Sequence, residues 1–108
     1  MKELYDLVEK FNIRAKQDEK LRKEIQDLER KIQINFSDNG SYNFILKNAQ
    51  VFEIKDNLQN PDIVVSISTD VFNKILNKEM DVLSAYITRK FTVKASLSDK
   101  LLISELLK

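Results

Sequence analysis

The segment Pro61-Asp-Ile-Val-Val-Ser-Ile-Ser-Thr-Asp-Val-Phe72, followed by Lys78-Glu-Met-Asp81, Arg89-Lys-Phe-Thr-Val-Lys-Ala95 and a Leu-rich tail, decides how this chain folds. It reads as strand, helix, short helix, strand, helix. Ile63, Val65 and Ile67 alternate onto one face of a strand over residues 62–68, and Val64 on the other face places that strand away from the wettest edge. Pro61 opens the strand at a position where no ladder hydrogen bond is lost. Thr69 or Ser68 caps a helix with Phe72, Ile75 and Leu76 on one stripe, ending near Asn77 and Lys78. Asp81 caps a second, shorter helix bearing Val82, Leu83, Tyr86 and Ile87. Residues 89–95 form the last strand, with Phe91, Val93 and Ala95 inward. Residues 96–99 resemble a capping box that uses Asp99 in place of Glu, opening a helix with Leu97, Leu101, Leu102 and Leu106.

Upstream, strict alternation predicts two further strands. Ile32, Ile34 and Phe36 share one face, and Tyr42, Phe44 and Leu46 share another. Both rows bury in one core only if they lie on the same side of the sheet, which selects the loop length. A two-residue Asn39-Gly40 turn puts them on opposite sides. A three-residue loop, Asp38 to Gly40, pairs Phe36 with Tyr42, Ile34 with Phe44 and Ile32 with Leu46, with Gly40 supplying the left-handed residue. The same test across Asn48-Ala49-Gln50 sets Leu46 opposite Phe52 and Phe44 opposite Ile54. Before the strands, Leu4, Leu7, Val8 and Phe11 are spaced for an amphipathic helix over residues 2–12. Leu21, Ile25 and Leu28 continue the stripe after a gap in which Arg14 and Asp18 occupy positions that a continuous seam makes apolar. The spacing predicts two helices, or one bent over residues 12–17. The charged run from Lys16 to Lys31 reads first as a solvated face with ion pairs one turn apart. The expected architecture is α+β: a single domain of residues 1–108 with a mostly antiparallel five-stranded sheet and helices covering one face.

Composition narrows the function. With 43% hydrophobic and 32% charged residues, the 108-residue chain is suited to a packed core of its own rather than to disorder. Net charge is +1 and the basic residues are interleaved with acidic ones, which argues against nucleic acid. The chain has no Cys and no His, which removes thiolate chemistry and the commonest general base and metal ligand. No cofactor is expected. Ser66, Ser68 and Ser84 have no base beside them in the pattern, and no Gly-rich phosphate loop occurs. The expectation is a non-enzymatic, cytoplasmic protein, without a signal-like N-terminus and without stable membrane insertion.

The second half resembles the sterol carrier protein type 2 domain, a lipid-binding family. The matching positions are Thr69-Asp70-Val71-Phe72, Lys78-Glu79-Met80-Asp81-Val82 and Arg89-Lys90-Phe91-Thr92-Val93-Lys94-Ala95. Lys78, Arg89 and Ala95 stand where the family has glycines and Val82 where it has proline, so turns made there with Gly need another solution, for instance a left-handed Asn77. The resemblance implies an apolar tunnel that carries fatty acyl chains, isoprenoids or sterol-like lipids. Its walls are Phe36, Phe44, Ile54, Phe91 and Val93 from the sheet, with Phe72, Ile75, Leu76, Leu83, Tyr86, Leu101, Leu102 and Leu106 from the helices. Taken singly, each of these residues fits ordinary core better than it fits a ligand contact; the set together points to the tunnel. Arg89, with Lys90 and Tyr86, is the candidate for meeting a polar head at the mouth. A ligand losing ~300 Å² of apolar surface gains about 7–8 kcal/mol at roughly 25 cal/mol per Å², of which association takes back several, so micromolar affinity with loose selectivity follows. The alternative is an interaction domain with a filled cavity that forms a homodimer through an apolar face or the helix of residues 14–30.

Overall fold

A computed structural model describes residues 1–108. β1 (Arg30–Phe36) lies at the centre of a five-stranded sheet, because its apolar row Ile32, Ile34 and Phe36 has a matching row available on each side. On one side β2 (Gly40–Lys47) runs antiparallel, with Ile32 opposite Phe44 and Ile34 opposite Tyr42. On the other, β4 (Ile63–Ile67) runs parallel, setting Ile32, Ile34 and Phe36 beside Ile63, Val65 and Ile67. β3 (Gln50–Ile54) is one edge and the three-residue β5 (Thr92–Lys94) is the other, giving the order β3-β2-β1-β4-β5. The sheet is therefore mixed: three antiparallel pairings and one parallel. The connection that makes β4 parallel to β1 passes out through β2 and β3 before returning.

The first hairpin keeps the expected faces but shifts by two residues. The loop is Ser37-Asp38-Asn39, and Gly40, with φ +81°, pairs with Phe36. Phe36 thus faces Gly40 rather than Tyr42, and packs edge-on against the rings of Tyr42 and Phe72 at 5.8 and 5.2 Å. The second hairpin departs further. Asn48 and Ala49 both take left-handed conformations, φ 53° and 58°, and close a two-residue turn. That moves the register by one and turns β3 over: Val51 enters the core opposite Leu46, Glu53 lies opposite Phe44, and Phe52 and Ile54 point to the other side of the sheet. The expected pairs Leu46–Phe52 and Phe44–Ile54 are replaced for a reason that lies outside the turn, in the helix that covers Val51.

That helix is α1 (Lys2–Gln17), which buries Leu4, Leu7, Val8, Phe11 and Ala15. The carboxamide of Asn12 donates to the Val51 carbonyl and accepts the Val51 N–H, both at 2.8 Å. Val51 sits on an edge strand, so its outward backbone pair has no neighbouring strand; a side-chain amide satisfies both groups instead. Tyr5 adds a second tie, donating to the Glu53 carboxylate at 2.8 Å. α1 breaks at Asp18, inside the predicted gap and one residue beyond the predicted bend. Asp18 is extended, and its carboxylate accepts the Leu21 N–H at 3.2 Å, capping α2 (Glu19–Ile25). Arg14 interrupts the apolar seam because it reaches another element: its guanidinium donates to the Glu105 carbonyl in the last turn of α5 (Leu97–Leu106) and lies 5.5 Å from the centre of the Phe11 ring.

Two measurements test these ties. Asn12→Ala leaves the Val51 backbone pair without a partner and should lower unfolding free energy by about 1–3 kcal/mol in urea titrations. Asn12→Asp should not restore it, since a carboxylate has no N–H for the Val51 carbonyl. Asp38 accepts the backbone N–H and the hydroxyl of Thr69, both at 3.0 Å, and these bonds hold its carboxyl below the usual carboxylate range. A depressed folded value contributes stability above the unfolded pKa that is lost as pH falls through the folded one, so the loss occurs below about pH 4. Asp38→Asn keeps an acceptor and removes the titration, and its thermal midpoint should fall less steeply on acidification than that of the parent.

Candidate functional site

The covering helices of the second half are built by local signals. Ser68 caps α3 (Thr69–Leu76), its hydroxyl accepting the Val71 N–H at 3.2 Å. Asp81 caps α4 (Val82–Ile87), accepting the Ser84 N–H at 3.0 Å. Ser96 caps α5 by accepting the Asp99 N–H at 3.2 Å. The Asp99 carboxylate does not complete the expected box. It is buried and takes Arg30 Nε at 3.0 and 3.1 Å, which fastens α5 to the first residue of β1.

Both α3 and α4 end in the same motif. Lys78, φ 62°, donates to the Ile75 carbonyl at 3.1 Å while the Glu79 N–H reaches Lys74 at 2.9 Å. Arg89, φ 60°, donates to Tyr86 at 3.1 Å while the Lys90 N–H reaches Ala85 at 2.8 Å. These are Schellman caps, in which the residue after the cap takes the left-handed conformation. Asn77 is not that residue: its φ is −84°, and the hydrogen-bond pattern places the left-handed turn on Lys78 itself.

Between α4, β5 and α5 lies a cavity of about 230 Å³. α4 contributes Val82, Leu83 and Tyr86; Phe91 and Val93 come from the last strand and its approach; α5 contributes Leu97, Lys100, Leu101, Ile103 and Ser104. Eight of these ten are hydrophobic, and the one charge is Lys100, whose Nζ stands 5.6 Å from the centre of the Tyr86 ring. A second, more polar recess of about 570 Å³ lies between α2 and α5, bounded by Leu21, Ile25, Arg30 and Leu102 among others, and shares Leu101 and Ser104 with the first. α5 thus has a hollow on each flank. The four groups with shifted pKa values are elsewhere: Tyr5, Glu53 and Lys55 beside α1 and β3, and Asp38 in the first hairpin. None lines the apolar cavity.

Of the residues named from sequence, Leu83, Tyr86, Phe91, Val93 and Leu101 meet in this cavity. Phe36, Phe44, Phe72, Ile75 and Leu106 are buried in the core away from it, and Leu76 is half-buried against that core. Leu102 faces the α2–α5 recess. Arg89 borders a neighbouring hollow with Tyr86, Ile87 and Phe91. Ile54 is turned to the opposite side of the sheet by the two-residue Asn48-Ala49 turn. Sequence reasoning missed Val82, Leu97, Lys100, Ile103 and Ser104 as lining residues. A signal for four of the α5 wall residues was present: Leu97, Lys100, Leu101 and Ser104 recur at three- and four-residue spacing on one helical stripe.

Residues 9–108 match the SCP-2 sterol transfer family. The chain belongs to this family. No curated protein matches it in sequence. Among solved structures, the SCP2 ubiquinone synthesis protein UbiJ superposes with a TM-score of 0.72 at 11% identity, over 96% of this chain and 91% of that one. Palmitated sterol carrier protein 2-like 2 of Aedes aegypti gives 0.65 at 17% identity, over 94% and 90%. A sec-alkyl sulfatase gives 0.66 at 12% identity, but this chain spans 80% of its own length and 14% of that enzyme. At these identities the likenesses establish the fold. Lys78 and Arg89, two of the three positions where the resemblance leads one to expect glycine, take the left-handed backbone without it, whereas Ala95, the third, has no positive φ.

Left-handed geometry costs a non-glycine residue roughly 1–2 kcal/mol, and a glycine adds roughly 0.5–1 kcal/mol of unfolded-chain entropy to be lost. The first term is the larger. Lys78→Gly should therefore stabilise this SCP-2 domain by up to about 1 kcal/mol, read as a higher thermal midpoint.

Proposed function

We propose that this chain is a binding and carrier domain for an apolar small molecule of the lipid class, taken up at the α4–β5–α5 cavity. The single observation that carries the reading is the cavity wall: eight hydrophobic residues from three elements converge on a hollow whose only charge is one lysine. Membership of the SCP-2 sterol transfer family and a palmitated structural neighbour from Aedes aegypti support the same ligand class. The volume, about 230 Å³, lies just below the ~300–1,000 Å³ usual for small-molecule sites. It suits one end of an extended apolar molecule, the remainder lying along the exposed Leu97 and Leu101. Apolar contact discriminates weakly, so a range of chain lengths is expected to bind.

Catalysis is not part of the proposal. The cavity holds no carboxylate, and no hydrogen bond joins its Ser104 to Lys100, the one amine among the lining residues.

Mass spectrometry of the purified protein under native and denaturing conditions should show a small apolar molecule that leaves on unfolding. Val93→Phe puts extra carbon into the cavity without adding charge. A fluorescent fatty-acid probe should bind this variant at least ten-fold more weakly than the parent, with little change in thermal midpoint. Unchanged probe affinity in Val93→Phe would move the site away from this cavity.

A further inference from the structure

We propose that a hollow beside the carboxyl ends of β1 and β4, on the face of the sheet turned away from the helices, is a binding site for a phosphate group. The strand register builds it. β1 and β4 are the one parallel pair, so both leave the sheet at the same end, where the Ser37 N–H donates to the Ile67 carbonyl at 3.1 Å. Asn35 lies opposite Ser66 and Ser66 opposite Thr92, which sets an amide and two hydroxyls in one row across three strands. Their chain neighbours Phe36, Ile67 and Phe91 are buried, so the polar row takes the other face. The Schellman cap that ends α4 then delivers Arg89 and Lys90 to the same hollow, whose volume is about 460 Å³.

The lining selects an anion. Arg89 and Lys90 are exposed, and neither enters any of the seven ion pairs of the molecule. Of the polar lining groups, only Asn35 and Ser68 are engaged through their side chains. Asn35 Oδ1 accepts Ser41 Oγ at 2.6 Å and its Nδ2 lies 3.4 Å from Gln33 Oε1, while Ser68 Oγ is spent on the Val71 N–H. The hydroxyls of Ser37, Ser66 and Thr92 remain free to donate. Carboxylates close in sequence are committed elsewhere: Asp38 holds Thr69, and Asp70 pairs with Lys74 at 3.1 Å. No acid lines this hollow, whereas those beside α1 and α2 hold Glu9 and Glu53, and Glu24, Asp99 and Glu105. Two cations and three hydroxyls from separate strands suit a group with acceptor oxygens spread around one centre, held by an arginine fork and a lysine point charge. A carboxylate offers two oxygens in one plane and leaves part of the set unused. Because the donors are exposed, affinity for the free group is expected on the order of millimolar.

The hollow shares Arg89, Phe91 and Thr92 with its neighbour, which in turn shares Tyr86, Phe91 and Val93 with the apolar cavity. The phosphate is therefore either free or the head of a molecule whose tail enters that cavity. Titrating the 15N-labelled protein with inorganic phosphate, against sodium chloride at matched ionic strength, tests the site. Phosphate should shift the backbone amides of Ser37, Ser66, Lys90 and Thr92 saturably, and chloride should not. Lys90→Gln and Ser66→Ala should each weaken phosphate binding by about five-fold or more. Lys78→Gln removes the same charge at the matching cap of α3, outside the hollow, and should leave the affinity as in the parent. Octyl phosphate separates the two sources. Affinity no higher than that of inorganic phosphate means a free phosphate; tighter binding whose advantage is lost in Val93→Phe means a lipid head. No shift with phosphate, equal shifts with chloride (an adventitious ion only), equal weakening by Lys78→Gln, or unchanged affinity in Lys90→Gln and Ser66→Ala would each overturn the site. Failure of the fluorescent fatty-acid probe to bind the parent would overturn the cavity reading and leave the phosphate site standing.

Discussion

The parity of β1 is the constraint on which everything else hangs. Ile32, Ile34 and Phe36 are aligned with apolar rows on β2 and β4, and all of these side chains emerge on one side of the sheet. A slip of one residue in either pairing exchanges that row for Gln33 and Asn35, and no helix then has a greasy surface to cover. α1 and α3 are amphipathic in answer to this face and α5 turns one of its two apolar sides to it: together they bring Leu4, Phe11, Phe72 and Ile103 down onto it. The opposite face mixes polar pairs such as Gln33 with Asn43 and Ser41 with Asn35 with the apolar Ile45, Phe52, Ile54 and Val64.

How much of this was legible in the sequence depended on how local the deciding physics was. Ser68, Asp81 and Ser96 cap the helices predicted from them, because a cap is made within three residues of itself. The faces of β1 and β2 were also readable, since alternation and a single glycine fix them together. The β2–β3 turn was not. Asn48-Ala49 carries no glycine, and the register is settled by the burial of Val51 under α1 and the amide of Asn12, 39 residues away in the chain. The site was legible in part for a similar reason. Phe72 and Phe91 are alike as letters, yet one is packed in the core and the other lines a hollow, and only the packing of distant elements separates them. Lys100 and Ser104 were overlooked because apolarity was the criterion, and the polar members of a cavity wall do not meet it.

The cavity lies where the molecule is least firmly held. α4 fully buries one residue, Ala85, and β5 is three residues long with pairing on one side. The cap that joins them places Arg89 in a left-handed conformation that costs a side-chain-bearing residue free energy. Segments with few buried apolar contacts open at low free-energy cost, and ligand-binding elements are commonly drawn from that end of the stability range. The β1–β2–β4 centre, whose helix-facing side is mostly buried, supplies the firm base on which that wall stands.

The Asn12 carboxamide has a consequence for behaviour in crowded solution. By occupying the outward N–H and carbonyl of Val51, it removes one rung from the free edge of β3, and the far edge of the sheet offers only the three residues of β5. A stray extended peptide finds little backbone there to zip onto, so the fold resists recruitment into runaway strand-on-strand polymers even though its core is rich in Ile, Val and Phe.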